Sequence, residues 1–144
     1  MDKYDVLKLE NQICFPLYAC GKEITRLYKP ILDELDLTYT QYVSMMVIWE
    51  HRKIRLKDLG ERLYLDSGTL TPLLKKLELK GYINRVIDPD DVRNLFVEVT
   101  EKGLKLRDKA LDIPSKISCG VNLTSEEASN LYKTLYKLLN DISK

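Results

Sequence analysis

The chain is poor in the residues that build metal centres, disulfide frameworks and membrane spans. Among its 144 residues there is one histidine, His51, and there are three cysteines, Cys14, Cys20 and Cys119. An odd, widely spaced set of cysteines is no secreted disulfide framework, and with a single histidine it makes no zinc cluster. Neither a metal nor a cofactor is expected. No run is long or apolar enough to span a bilayer, and the start Met-Asp-Lys-Tyr-Asp lacks a signal-peptide pattern. The expected setting is therefore the cytoplasm, with no membrane partner. The formal net charge is only +1, which by itself says little about an acidic partner. What the chain does have is 44% hydrophobic content over a length that suffices for one domain with a core.

The charge becomes informative once it is mapped. From His51 to Arg85 there are nine Lys/Arg against four Asp/Glu, so this segment carries +5 and the remainder −4. Inside it lies Asp66 to Gly81, an amphipathic helix marked at both ends. Asp66 is a good N-cap and Gly81 suits the left-handed position past the last turn. Leu70, Leu73, Leu74 and Leu77 recur at i, i+3, i+4 and i+7, which turns one face inward. The opposite face carries Ser67, Thr69, Thr71, Pro72, Lys75 and Lys76. Short side chains allow close approach to a DNA major groove, Thr and Pro can meet thymine methyls, and Lys reaches phosphate. Taken alone, such a helix fits an ordinary core element better, so its neighbours must decide.

In chain order, Asn11 to about Leu35 is a long helical stretch with Pro16 and Pro30, where kinks or restarts are expected. Thr38 to Gln41 reads as a capping box opening a mostly apolar, buried helix through Val43, Met46, Val47 and Trp49 to Glu50. His51 to Arg55 reads as a polar, basic connection. Leu56 to Leu63 is a short helix with Leu56, Leu59 and Leu63 inward, and Asp66 follows after a tight turn. Two short helices across such a turn make a helix-turn-helix. Tyr82 to Asp88 and the segment with Leu95, Val97 and Val99 alternate as strands around the turn cluster Asp88-Pro89-Asp90-Asp91. That hairpin, with Arg85 near one end and Arg93 beside its tip, is a wing, and its arginine suits a narrow minor groove. Asp91 is placed to brace Arg93 by an ion pair. Thr100 caps a helix to about Ser118, with Pro114 near its end. Thr124 to Glu127 is a second capping box, and the last helix carries Leu131, Leu135, Leu138 and Leu139 on one side. Helices at both ends with nothing in the chain to cover them imply a homodimer, which palindromic DNA half-sites also favour.

Leu56-Lys57-Asp58-Leu59-Gly60-Glu61-Arg62-Leu63 through Leu77-Glu78, with Asp91-x-Arg93 and Val99-Thr100-Glu101-Lys102-Gly103, resembles the MarR family of bacterial winged-helix repressors. More narrowly, Asn11-Gln12-Ile13-Cys14-Phe15, Leu27-Tyr28-Lys29-Pro30-Ile31-Leu32-Asp33-Glu34-Leu35 and Leu37-Thr38-Tyr39-Thr40-Gln41-Tyr42 resemble its organic hydroperoxide sensors, the OhrR group. The likeness runs from about Leu9 to Gly103, and the C-terminal third matches only in being helical. The fold it implies is mainly α with a β-hairpin wing. A winged helix-turn-helix at about 38–100 would be flanked by dimerisation helices at about 10–36 and 101–144, as one domain over 1–144.

The resemblance implies that Cys14 is the peroxide-sensing thiol, hydrogen-bonded by Tyr28 and Tyr39 of the partner subunit, with Tyr18 nearby. The chemistry is consistent, because the thiolate is the nucleophile that attacks a peroxide oxygen. A position near a helix start favours a negative sulfur, and Ile13, Phe15 and Leu17 suit a greasy organic hydroperoxide. Sensors of the group either form mixed disulfides with small thiols or close an intersubunit disulfide; Cys119 stands roughly where the second type has its resolving residue. Cys20 lies six residues along the helix, about 9 Å of rise from Cys14, too far for a disulfide, and reads as a packing residue. Pro16 departs from the group, where a helix former such as Ala is expected. Two other readings stay open. One is a regulator of this family released by a small apolar ligand or a broader range of oxidants. The other is a thiol peroxidase, against which stand the missing Thr-x-x-Cys pattern and the distance of Arg26, twelve residues on.

Overall fold

A computed structural model describes residues 1–143. The chain divides into two compact units, 1–39 and the remainder from Thr40.

The first unit opens with two short 3-10 turns, Lys3–Leu7 and Leu9–Asn11, followed by helix α1, Cys14–Asp33. The helix therefore starts at Cys14, not at Asn11. Pro16 falls in its first turn, where a backbone N–H has no intrahelical acceptor in any case, so the ring breaks nothing. Pro30 does lie inside the helix, which continues past it to Asp33. Apolar side chains at Ile13, Leu17, Ile24 and Leu27 are all exposed along α1, in a stripe that a globular helix normally covers.

The second unit holds a three-stranded antiparallel sheet and six helices, α2 Tyr39–His51 (its first residue closing the first unit), α3 Leu56–Leu63, α4 Ser67–Leu79, α5 Glu101–Ala110, α6 Ile113–Ser118 and α7 Ser125–Ile142. α2 is buried on most sides, as its composition suggested, with Tyr42, Met45, Val47, Ile48 and Trp49 in the core, though Met46 faces outward. The strands are β1 Lys53–Arg55, β2 Ile83–Ile87 and β3 Leu95–Val99, in the order β1-β3-β2. The wing is thus not a two-stranded hairpin alone. The stretch read as a basic connection supplies a third strand, with Ile54 opposite Val97 and Arg55 opposite Phe96. Three residues with a single apolar side chain are too few to display a period of two, but the buried Ile54 makes the alternation complete.

The helix expected from Thr100 to Ser118 is two helices. α5 ends at Ala110 and α6 begins at Ile113, with Pro114 in its first turn. A proline there fits the start of a helix and cannot sit comfortably in the interior of a longer one. The capping box at Thr124 is complete: Thr124 Oγ1 accepts from the Glu127 amide at 3.1 Å, and Glu127 Oε1 accepts from the Thr124 amide at 3.0 Å. The Thr124 amide, and after it the Thr124 side chain, hold the Glu127 carboxyl below its ordinary pKa. No residue of the 18-residue α7 is buried, and Leu131, Tyr132, Leu138 and Ile142 are exposed.

Candidate DNA interface and sensing thiol

The helix-turn-helix is α3, the turn at Tyr64 to Asp66, and α4. Leu59, Leu70, Leu74 and Leu77 are each no more than 1% exposed. Burying a leucine contributes about 1.5–3 kcal/mol, so the inward face of α4 is fixed firmly. Its start is fixed by Asp66, whose Oδ1 accepts from the Thr69 amide at 2.8 Å. Its end is a Schellman motif, with the Tyr82 amide donating to the Leu77 carbonyl at 3.1 Å and the Gly81 amide to that of Glu78 at 2.9 Å. Gly81 has φ +85°, which a residue with a Cβ adopts only under strain. The turn before α4 repeats the pattern with Tyr64 at φ 56°, a tyrosine where glycine is the usual choice.

That framework leaves Ser67, Thr69, Pro72, Lys75 and Lys76 on the exposed face of α4, with Thr71 half-buried. The small polar residues lead and the two lysines follow, which is the layout a major-groove helix needs. At the wing, Arg93 is held by Asp91 in three bonds: the Arg93 amide and Nε donate to Oδ1 at 3.0 and 3.1 Å, and Nη2 to Oδ2 at 3.2 Å. The Arg93 side chain is 88% exposed, so the brace aims the guanidinium without hiding it. The Arg93 side chain bonds hold the Asp91 carboxyl below its ordinary value, with further help from the Arg93 amide. Arg85, by contrast, is turned back onto the protein. Its amide and Nε donate to the two Glu78 oxygens at 3.0 and 3.2 Å, tying the root of the wing to the end of α4. An open groove of about 970 Å³ runs between the leading end of α4 and the wing, lined by Arg55, Lys57, Ser67 and Arg93 among others.

In the first unit, Cys14 is the first residue of α1 and is exposed. No side chain caps this end, since the N-cap residue is Ile13. Tyr18 stands one turn further on the same face and is exposed, its near neighbour being Phe15 at 6.5 Å between ring centroids. Tyr28 and Tyr39 lie together, edge to face, with centroids 4.8 Å apart. Burial, and then Tyr39 beside it, push the Tyr28 phenol above its ordinary pKa, so it remains a donor at neutral pH. Fourteen residues of helix separate Cys14 from Tyr28, about 21 Å of rise. The tyrosine pair therefore lies too far along the chain to reach Cys14 of the same molecule. Cys119 is exposed and follows α6.

Two features escaped the sequence reading. One is β1, which brings Arg55 to the wing; its three residues around the single apolar Ile54 are too few to signal a strand. The other is Gly103, whose carbonyl accepts from the buried Trp49 Nε1 at 2.8 Å. Among the described residues no helix is long and apolar enough to cross a membrane, and no three potential metal ligands cluster.

Comparison with known proteins agrees with this arrangement. Residues 26–110 match the family model described as transcriptional regulator SarA/Rot. The chain is 45% identical over 141 residues to the organic hydroperoxide resistance transcriptional regulator of Bacillus subtilis, covering 98% of this chain and 96% of that one. It is 44% identical to the HTH-type transcriptional regulator SarZ of Staphylococcus aureus, over 88% of this chain and 86% of the relative. Among solved structures it is similar to reduced AbfR bound to DNA, at a TM-score of 0.80 and 29% identity, covering 99% and 100% of the two chains. It is also similar to overoxidized AbfR bound to DNA, at a TM-score of 0.79 and 28% identity over 98% and 99%. AbfR is a Staphylococcus epidermidis protein.

Proposed function

Because this chain belongs to the MarR family of winged-helix transcriptional regulators, in its organic hydroperoxide sensor group, and is a DNA-binding regulator rather than an enzyme, we propose that it is a homodimeric repressor released from a palindromic operator by oxidation of Cys14. Residues 10–36 and 101–144 supply the dimer contacts, and 38–100 the DNA-binding region. The exposed apolar stripe of α1 and the unburied α7 support this division. Ser67, Thr69, Thr71 and Pro72 face the major groove, Lys75 and Lys76 reach phosphate, and Arg93, braced by Asp91, enters the flanking minor groove. Removing the guanidinium in Arg93→Ala should weaken operator binding and erase sensitivity to minor-groove width.

The observation that carries the sensing role is the placement of Cys14 as the exposed first residue of α1, with its own Tyr28 and Tyr39 beyond reach. In the dimer the partner's tyrosine pair meets the thiol, and Tyr18 flanks it. The Cys14 thiolate attacks the distal oxygen of an organic hydroperoxide. The O–O bond breaks, the alkoxide leaves and takes a proton to become the alcohol, and the sulfur is left as sulfenic acid. The thiol of Cys119 from the other copy then displaces the hydroxyl as water and closes an intersubunit disulfide. That the overoxidized form of AbfR is found bound to DNA favours a release step that needs this second bond rather than added oxygen alone. The disulfide pulls the terminal helices into a new arrangement and moves the two recognition helices off register.

The test is Cys14→Ser. It should bind operator as the unsubstituted protein does and stay bound in cumene hydroperoxide; release of this variant by the oxidant would remove Cys14 from the sensing role. Release by phenolic compounds without oxidation would instead favour a ligand-gated regulator.

A further inference from the structure

A helix in a major groove and a wing in the adjacent minor groove necessarily straddle one sugar-phosphate backbone, because that backbone is what separates the two grooves. In this protein the space between those elements is the groove between α4 and the wing. Its contents therefore decide how that backbone is held.

The groove's lining includes Arg55 from β1, Lys57 from α3, Ser67 at the head of α4 and Arg93 on the wing. Two acids also line it. Asp66 is turned to the Thr69 amide, and Glu61 is left as the one acid not engaged in capping. The other cations nearby are already used: Arg62 pairs with Glu50 at 3.4 Å and Arg85 with Glu78 at 3.2 Å. Among the described residues neither Arg55 nor Lys57 has a carboxylate within ion-pair distance, and both are exposed. Arg55 is nonetheless held in place. It stands opposite Phe96 in the sheet register, with its guanidinium 6.0 Å from the ring centroid, a cation–π contact that limits its freedom before any partner arrives. Its charge also helps, in small part, to lower the Asp91 carboxyl at the wing.

We propose that Arg55 and Lys57 form a phosphate clamp on the DNA backbone that crosses between the recognition helix and the wing. The proposal rests on the DNA-binding reading above and adds to it a contact that positions the duplex without reading bases. Phosphate contacts fix register but carry no sequence information. Each phosphate neutralised contributes about 0.9 to the slope of log K against log salt.

The experiment is a salt titration of operator binding by the reduced full-length protein, beside the double variant R55Q/K57Q. The clamp predicts a slope smaller in magnitude by about 3.6 in the variant, because the two subunits of the dimer hold four phosphates between them, with the ratio of operator to scrambled-sequence affinity unchanged. From 50 to 200 mM salt the unsubstituted protein should lose about 150-fold more affinity than the variant. The charge-conserving R55K/K57R should keep the original slope, and Trp49 emission reports whether each variant is folded. An unchanged slope in R55Q/K57Q, beside a salt-sensitive original, overturns the clamp and leaves DNA binding standing. No operator binding by the unsubstituted protein would overturn the DNA reading itself, and the clamp with it.

Discussion

Replacing Gly103 with alanine tests how closely the end of the recognition helix is bolted to the rest of the winged domain. Gly103 sits in the first turn of α5. A Cβ there would fall well inside contact with the Tyr82 carbonyl oxygen and 2.8 Å from Val99 Cγ2. Neither neighbour can move freely. The Tyr82 carbonyl accepts from the Thr100 amide at 3.1 Å, Thr100 Oγ1 donates to the Gly81 carbonyl at 2.6 Å, and Val99 is strand-paired with Ile83. Making room costs about 1–3 kcal/mol in overpacking and about 1 kcal/mol more if the Tyr82 bond is lost. The total of about 2–4 kcal/mol corresponds to a fall in melting temperature of roughly 8–16 °C, at about 4 °C per kcal/mol for a chain near this length. The assay is built in. The single tryptophan, Trp49, bonds to the Gly103 carbonyl, so its emission should change in the native state as well as at the shifted midpoint. A Gly103→Ala protein with an unchanged midpoint and unchanged native emission would refute the close approach.

Three further outcomes are expected. Asp66→Ala removes the N-cap of α4 and should cost about 1 kcal/mol of stability, measurable by thermal melting, with operator binding weakened in parallel as the first turn frays. The Asp91 carboxyl is held below its ordinary pKa by Arg93. A depressed value means the brace is complete above the ordinary carboxylate range and is lost as pH falls through the lowered value. An NMR titration should find the Asp91 midpoint below the ordinary 3.8 and moving up towards it in Arg93→Ala; equal midpoints in the two proteins would show that the brace does not form in solution. Finally, Cys119→Ser should abolish the covalent dimer seen on non-reducing electrophoresis after oxidation, and without added small thiols the variant should remain on its operator.

Much of the DNA-reading half was legible in the residues because its signals are local. Asp66 and Gly81 are end markers with one mechanism each, and four leucines at helical spacing fix the face. Thr124 to Glu127 was equally plain. Legibility failed where a feature depends on distant chain. β1 is three residues long, and it is a strand only because β3 arrives beside it. The break between α5 and α6 was hidden because Pro114 can end one helix or begin the next, and only the break at Leu111–Asp112 decides. Gly103 was visible as part of a motif, but its reason, the Tyr82 carbonyl against its Cα, lies twenty-one residues away. The sensing half is legible in a different way. Cys14 and the two tyrosines came from resemblance, and a single chain places Cys14 and Tyr28 about 21 Å apart along α1, so no local signal in the residues joins them.

The most direct measurement follows operator occupancy and the state of all three cysteines in the same sample after one equivalent of cumene hydroperoxide. Fluorescence anisotropy of labelled operator reports the first, and mass spectrometry of rapidly alkylated samples the second. The expected result is loss of DNA in step with disappearance of the free Cys14 thiol, with a Cys14–Cys119 peptide accumulating and Cys20 unmodified. Release of the operator while Cys14 remains a free thiol would contradict the central claim.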